Sequence, residues 1–226
     1  MDVLVVLLLL SSSGYSLPRR DCPVTEGYLE KVPSSEASAI KGIEWHEDGS
    51  TALLKAAQDQ NVVLVGILLD CDTDVNIYDN RTGNTALIEA AKNGNEDIVS
   101  LLIKNGANVN SKGNDGNTAL ILAASYGHVE VLLQLIETRA DVNSKTTGGH
   151  TALIEAAKNG NKEIASLLIE NEADVNSKTT GRYTALMWAA RNGNEEIASL
   201  FIENGADVNS KTTGGHTALI EAAKNG

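Results

Sequence analysis

One tripeptide sets the terms for this chain. Thr-Ala-Leu begins at Thr51, Thr85, Thr118, Thr151, Thr184 and Thr217, in steps of 34, 33, 33, 33 and 33 residues. A fixed period of this length implies one small supersecondary unit copied and stacked, because so short a unit cannot bury its apolar face alone. The likeness extends beyond the tripeptide. Thr85 to Gly94 recurs unchanged from Thr151 to Gly160 and from Thr217 to Gly226, and Ser144 to Gly160 recurs from Ser210 to Gly226. Repeats this similar suggest recent duplication, so part of the identity is history rather than function.

Each unit reads as a pair of short helices. Thr is a good helix N-cap, its hydroxyl accepting from an exposed backbone N–H. Ala, Leu, another apolar residue and then Ala-Ala follow, which gives a first helix with a small-residue face. Asn93-Gly94, Asn159-Gly160 and Asn192-Gly193 end it, glycine supplying the left-handed conformation. Ile98, Leu101 and Leu102 then recur at helical spacing, as do Ile164, Leu167 and Leu168, and Ile197, Leu200 and Phe201. This second helix ends at Asn105-Gly106 or Asn204-Gly205, before a polar turn such as Ser144 to Gly149. Apolar residues make up 42% of the chain and aromatics only 4%, so the core is built from Ala, Leu, Ile and Val. All three prolines lie before residue 34, leaving the repeats free of helix breakers.

A turn–helix–helix unit carrying Thr-x-Leu-x-x-Ala-Ala and Gly-Ala-Asp-Val-Asn resembles the ankyrin repeat. The resemblance runs from about residue 49 to 226, as five full repeats and a partial sixth. It implies an all-α fold, an ankyrin-repeat solenoid of stacked helix–turn–helix units with hairpin-like turns. Two departures are consistent. The family's Pro after Thr is Ala at Ala52, Ala86, Ala119, Ala152, Ala185 and Ala218. Its His is Leu54, Ile88, Ile121, Ile154, Met187 or Ile220, so the hydrogen bonds that His makes are missing. Smaller irregularities occur in the middle units. Asp72, Arg139 and Glu172 replace the glycine after the second helix, and holding a non-glycine residue there costs roughly 1 kcal/mol. In the third unit Gln134 takes the place of Leu101 and Leu167, while Leu133 takes a normally polar position, which reads as drift of the repeat.

The ends differ in kind. Val3 to Leu10 is an unbroken apolar run followed by small residues, far short of the roughly 20 a spanning helix needs. It reads as a secretory signal peptide over residues 1–16, although Asp2 and the lack of Lys or Arg before it are unusual. No transmembrane segment is expected. Residues 17–48 are read as an N-terminal segment, either partly disordered or a capping helix over Ser34 to Trp45 with Ile40 and Ile43 facing the first repeat. Arg19-Arg20 is a weak candidate for dibasic processing. The two cysteines, Cys22 and Cys71, form one disulfide if the chain is secreted and remain free thiols if it is cytosolic. Asn80 begins the one Asn-x-Ser/Thr sequon. Stopping after one helix of the sixth unit suggests a fragment, a truncated gene product or a partial cap.

The formal charge of −12 argues against nucleic acid as a partner, since phosphate binding requires a basic footprint. The resemblance implies a protein partner held by the turn tips and the inward face of the first helices. Spacing of three and four along each first helix gives the stripe Glu89, Lys92, Asn93; Leu122, Ser125, Tyr126; Glu155, Lys158, Asn159; Trp188, Arg191, Asn192; and Glu221, Lys224, Asn225. Three of these rows are alike, and their Glu–Lys pairs read as solvated helix pairs worth a few tenths of a kcal/mol. The rows that differ carry Tyr126, Trp188 and Arg191, residue types that dominate interface energetics. These are the candidate partner-binding residues, against the alternative that Trp188 packs between repeats and Tyr126 covers Gln134. At the tips Arg182 and Tyr183 join them as candidates, while His150 and His216 are expected to be exposed turn residues.

No nucleophile elbow, phosphate-binding loop or zinc-ligand spacing is present, and no cofactor or metal is expected. The chain is read as a non-enzymatic, secreted protein-interaction scaffold. The alternatives are an intracellular adaptor with a misread N-terminus and the recognition part of a longer effector. The resemblance adds one modification hypothesis: Asn76, Asn143, Asn176 and Asn209 match asparagines hydroxylated in some ankyrin repeats, Asn110 less well, and only in the cytosol.

Overall fold

A computed structural model describes residues 50–70 and 73–224. The expected leader, the segment from Ser34 to Trp45, Cys22, Cys71, Asp72 and Asn225 lie outside the described residues. Regular structure among the described residues is helical, apart from one isolated antiparallel bridge between Tyr78 and Thr85. The chain divides into two compact units, Met1–Asn108 and Val109–Gly226.

The first unit contains α1 (Ser50–Gln58), α2 (Val62–Asp70), α3 (Ala86–Asn93) and α4 (Glu96–Lys104). In it α1 packs on α2 and α3, α3 on α4, and α2 on α4. The second unit contains α5 (Ala119–Tyr126), α6 (Val129–Glu137), α7 (Ala152–Asn159), α8 (Lys162–Glu170), α9 (Ala185–Arg191), α10 (Glu195–Glu203) and α11 (Ala218–Ala223). There the first helices form one layer, with α7 against both α5 and α9, and α9 against α11. The second helices form another, α8 lying against α6 and α10. The expected stacked helix pairs are thus present in each unit.

Alanine explains the close approach of the first helices. In α7, Ala152, Leu153, Ile154, Ala156 and Ala157 are at most 1% exposed, and α3 and α5 are buried in the same way. A methyl side chain lets two helix backbones come near while Leu and Ile fill the gap to the second helix. The residue in the family's His position, Ile154 in α7, is simply core here. Second helices in the second unit bury one stripe, such as Ile164, Ala165 and Leu168 of α8, whereas α2 buries Leu64, Val65, Gly66, Leu68 and Leu69.

The helix ends follow the sequence closely. Thr85, Thr118, Thr151 and Thr184 hydroxyls accept from the backbone N–H three residues on, at 3.3–3.4 Å. The second helices have a capping residue not recognised from sequence. Asn61, Asn95 and Asn161 side chains accept from Leu64, Ile98 and Ile164 N–H, each at 3.0 Å. The signal was present, since Asn95 and Asn161 each follow an Asn-Gly pair, Asn61 holds the matching position after Gln60, and Asn is a favoured N-cap. Between helices the polar turns close as short hairpins, Thr146 N–H donating to His150 C=O at 2.9 Å and Thr179 N–H to Tyr183 C=O at 3.0 Å.

The corner asparagines join neighbouring repeats. Asn143 Oδ1 accepts from Asp174 N–H at 2.8 Å and its Nδ2 donates to Glu172 C=O at 3.1 Å. Asn176 makes the same pair of bonds to Asp207 and Gly205. Asn76 makes them in the first unit, to Asn108 and Gly106. Asn110 does so too, with Asp141 and Arg139, although its motif is the poorer match. Beside them Ser144, Ser177 and Ser210 hydroxyls donate to the Asp141, Asp174 and Asp207 carboxylates. The Ser210 bond, followed by one from the Asn209 N–H, holds the Asp207 carboxyl below its ordinary range.

The expected strain is also present. Arg139 has φ 65° and Glu172 φ 66°, and Gln60 and Arg182 join them at 59° and 62°. Replacing Arg139 and Glu172 by Gly should therefore stabilise the chain by roughly 1 kcal/mol per site. Urea unfolding followed by circular dichroism measures it, and no gain in the double variant would mean that local contacts offset the strain. Leu133 is 37% exposed, as its polar position requires.

Candidate functional site

The inward stripe of the second unit is built by a simple register. Asn117 of the α5 row bonds back to Asp115, whereas in the α7, α9 and α11 rows the residue just before the Thr hangs over the first turn of the helix and meets the residue five positions later. In the α7 row this brings His150 Nδ1 to 2.6 Å from Glu155 Oε1. Lys158 Nζ and Ser125 Oγ both donate to Glu155 Oε2 at 3.4 Å. In the α11 row His216 Nδ1 lies 3.0 Å and Lys224 Nζ 2.8 Å from Glu221 Oε1. In the first unit Asn84 Nδ2 donates to Glu89 Oε1 at 2.8 Å.

This corrects two expectations. The glutamates of the Glu–Lys pairs are not solvated, Glu89 and Glu155 being 8% exposed and Glu221 1% exposed, although their lysines are exposed. Nor are His150 and His216 plain surface residues, since both are half-buried against their carboxylates. Helical spacing placed Glu correctly on the stripe but could not show that the preceding turn folds over it. The Lys224 hydrogen bond, with His216 in support, holds the Glu221 carboxyl below its ordinary range against the opposing effect of burial.

That depression has a defined sign. A carboxylate with a lowered folded-state pKa stabilises above its unfolded value, about 4.3, and loses that contribution as pH falls through the folded value. The stability difference between the native chain and Glu221→Gln should therefore be larger at neutral pH than at pH near 3. Urea unfolding at the two pH values checks it; a difference independent of pH would show that the Glu221 charge contributes nothing.

The α9 row replaces this ion cluster with aromatics. Tyr183 occupies the His position and Trp188 the Glu position, their ring centroids 5.3 Å apart and tilted by 34°. Arg191 lies over the indole at 5.4 Å from its centroid. Lys158 of the preceding row approaches the same ring at 5.9 Å. Cation–π contacts of this kind are worth about 0.5–1 kcal/mol at exposed sites. Trp188 Nε1 is buried and has no hydrogen-bond partner among the described residues, a condition that costs about 1–3 kcal/mol.

Of the residues expected to bind a partner, Tyr183, Trp188 and Arg191 thus form one cluster. Lys158 belongs to it and was missed, although it stands one repeat before Arg191 in the same register. Arg182 is exposed but directs its Nε to Lys211 C=O at 3.3 Å, toward the next turn. Tyr126 is on α5, 55% exposed, and stacks on His128 with centroids 6.3 Å apart, so Tyr126 has a ring partner other than Gln134. Asn80 is exposed in its turn, beside Asp79, whose carboxyl is held below its ordinary range first by the Arg81 N–H.

Among the described residues no group of three or more His, Cys, Asp or Glu is arranged to hold a metal ion. No helix among them is long and apolar enough to cross a membrane.

The family model described as ankyrin repeats (three copies) matches residues 35–113, 109–179 and 178–226. Comparison with curated proteins finds no match. The family match spans the repeats read from sequence and the helix pairs seen in both units, and ankyrin repeats are in general protein–protein interaction modules. This chain belongs to the ankyrin-repeat family.

Proposed function

We propose that this chain is a secreted, non-enzymatic scaffold that binds a protein partner through the first-helix face of its second unit. The observation that carries the reading is the cluster of Tyr183, Trp188 and Arg191. It breaks a pattern in which the rows on either side hold the same His–Glu–Lys arrangement. A row that departs from its duplicated neighbours, and does so with an aromatic pair and an arginine, has the composition of an interface anchor. The buried, unpaired indole nitrogen argues in the same direction, because a purely structural Trp is normally hydrogen-bonded. Tyr126 and Arg182, both exposed, precede this cluster in sequence and provide further contacts.

Secretion is supported by the apolar run from Val3 to Leu10 with its small-residue sequel and by the exposed sequon at Asn80. An intracellular adaptor is the second reading, favoured by Asp2 and by the absence of a basic residue before the apolar run. Intact mass after expression in a eukaryotic cell separates them. A mature start near Tyr15 or Leu17, glycan on Asn80 and a two-proton loss for Cys22–Cys71 are expected. A cytosolic product retaining Val3 to Leu10 would overturn secretion and leave the binding face unaffected.

A further inference from the structure

The chain is acidic overall, yet its charge is segregated. In the second unit the second helices carry Glu130, Glu137, Glu163, Glu170, Glu195, Glu196 and Glu203 against a single Lys162. On the first helices the only carboxylates are Glu155 and Glu221. Both are buried and bonded to a His and a Lys, so neither shows its charge to solvent. The exposed charged side chains of this layer are Lys158 and Arg191, with Lys224 just past α11, Lys158 and Lys224 being the ion-pair partners of those two carboxylates. The segments that lead into these helices add Lys112, Arg139, Lys145, Lys178, Arg182 and Lys211, nearly balanced by Asp115, Asp141, Glu172, Asp174 and Asp207. The first-helix side of the unit is therefore near neutral, in contrast to the acidic second helices of a protein of formal charge −12, and its exposed cations Lys158 and Arg191 stand beside an aromatic pair.

We propose that this face takes an acidic peptide segment of a partner protein, its carboxylates meeting Lys158 and Arg191 and an apolar or aromatic side chain resting on Tyr183 and Trp188. This rests on the reading of the face as a protein-binding surface and adds the chemistry of the partner. Three observations support it. The cations are already gathered at the indole, Arg191 and Lys158 approaching the same ring, so a carboxylate arriving there meets two positive charges whose side chains are held in place. The carboxylates that would repel it are folded under His150 and His216. The acidic second helices disfavour the same ligand elsewhere on the unit, which restricts it to one side by like-charge repulsion. Four or five scattered cations on an acidic chain form too small a footprint for a phosphate backbone, which favours a peptide over RNA.

The test is selection of a displayed random short-peptide library on the full chain, followed by titration of the enriched peptides. Enrichment of Asp and Glu around an apolar or aromatic residue is expected. Lys158→Glu combined with Arg191→Glu should weaken binding about tenfold or more, while Lys162→Glu on the opposite layer should change it by less than about twofold. Raising salt from about 50 to about 300 mM should weaken binding several-fold. Both charge-reversed variants concern exposed side chains, and circular dichroism confirms that they remain folded. Neutral or basic peptides that lose affinity in Trp188→Leu would overturn the acidic assignment and leave the face as the binding surface. Peptides unaffected by Trp188→Leu and by Tyr126→Ala, or no enrichment at all, would overturn both. Tighter binding of an oligouridine than of the acidic peptides at equal salt would overturn the assignment to a peptide.

Discussion

Leu153→Ala lowers the stability of this chain by about 2–5 kcal/mol, whereas Leu219→Ala changes it by no more than about 0.5 kcal/mol. The two leucines lie in the same ten-residue sequence, Thr-Ala-Leu-Ile-Glu-Ala-Ala-Lys-Asn-Gly. Leu153 is 1% exposed, on a helix packed against α5, α8 and α9. Its truncation removes about three buried carbons and leaves a cavity that Ala-rich neighbours cannot collapse to fill. Leu219 is 80% exposed on α11, whose main contact among the described residues is α9. An exposed leucine has little burial to lose. Urea unfolding of the two variants followed by circular dichroism gives the comparison, with the local sequence and the side-chain chemistry held constant. Equal losses would mean that Leu219 is covered in solution.

Trp188→Ala is the second large effect, this time on binding. Truncating an interface tryptophan costs at least about 2 kcal/mol, about thirtyfold in Kd. Peptides from the selection above serve as ligand, titrated by calorimetry. Trp188→Phe separates anchoring from packing. It keeps an aromatic ring beside Tyr183 and removes the buried indole nitrogen that has no partner. Its stability should stay within about 1 kcal/mol of the native chain or exceed it, because deleting an unsatisfied buried donor removes a desolvation penalty. Its affinity should fall between those of the native chain and Trp188→Ala. If both substitutions leave affinity unchanged and Trp188→Ala only destabilises, Trp188 is a packing residue and the interface lies elsewhere.

Much of the fold was legible because repeat proteins are specified locally. Thr at the start of a first helix, Gly after it and apolar residues at helical spacing all act within a few residues of themselves; the Thr cap forms at Thr85, Thr118, Thr151 and Thr184, whereas Thr51 lies inside α1 and the Thr217 hydroxyl makes no cap bond. The positive φ at Arg139 and Glu172 was legible for the same reason, since the glycine-bearing repeats show what the position demands. The stripe was legible as a set of positions. Its chemistry was not. That Glu155 is buried under His150, and that Ser125 reaches it from the neighbouring helix, depends on how the hairpin turn folds over the next helix.

The period and the placing of the helix pairs were determined by the sequence alone, through interactions that close inside one repeat. Tertiary structure decided what depends on a neighbour 29 to 35 residues away: the asparagine bonds between turns, the cations gathered over Trp188, and the burial that makes Leu153 core and Leu219 surface. The physical reason is that hydrogen bonds and capping angles are properties of a short stretch of backbone, whereas exclusion of water is a property of whatever lies on the other side.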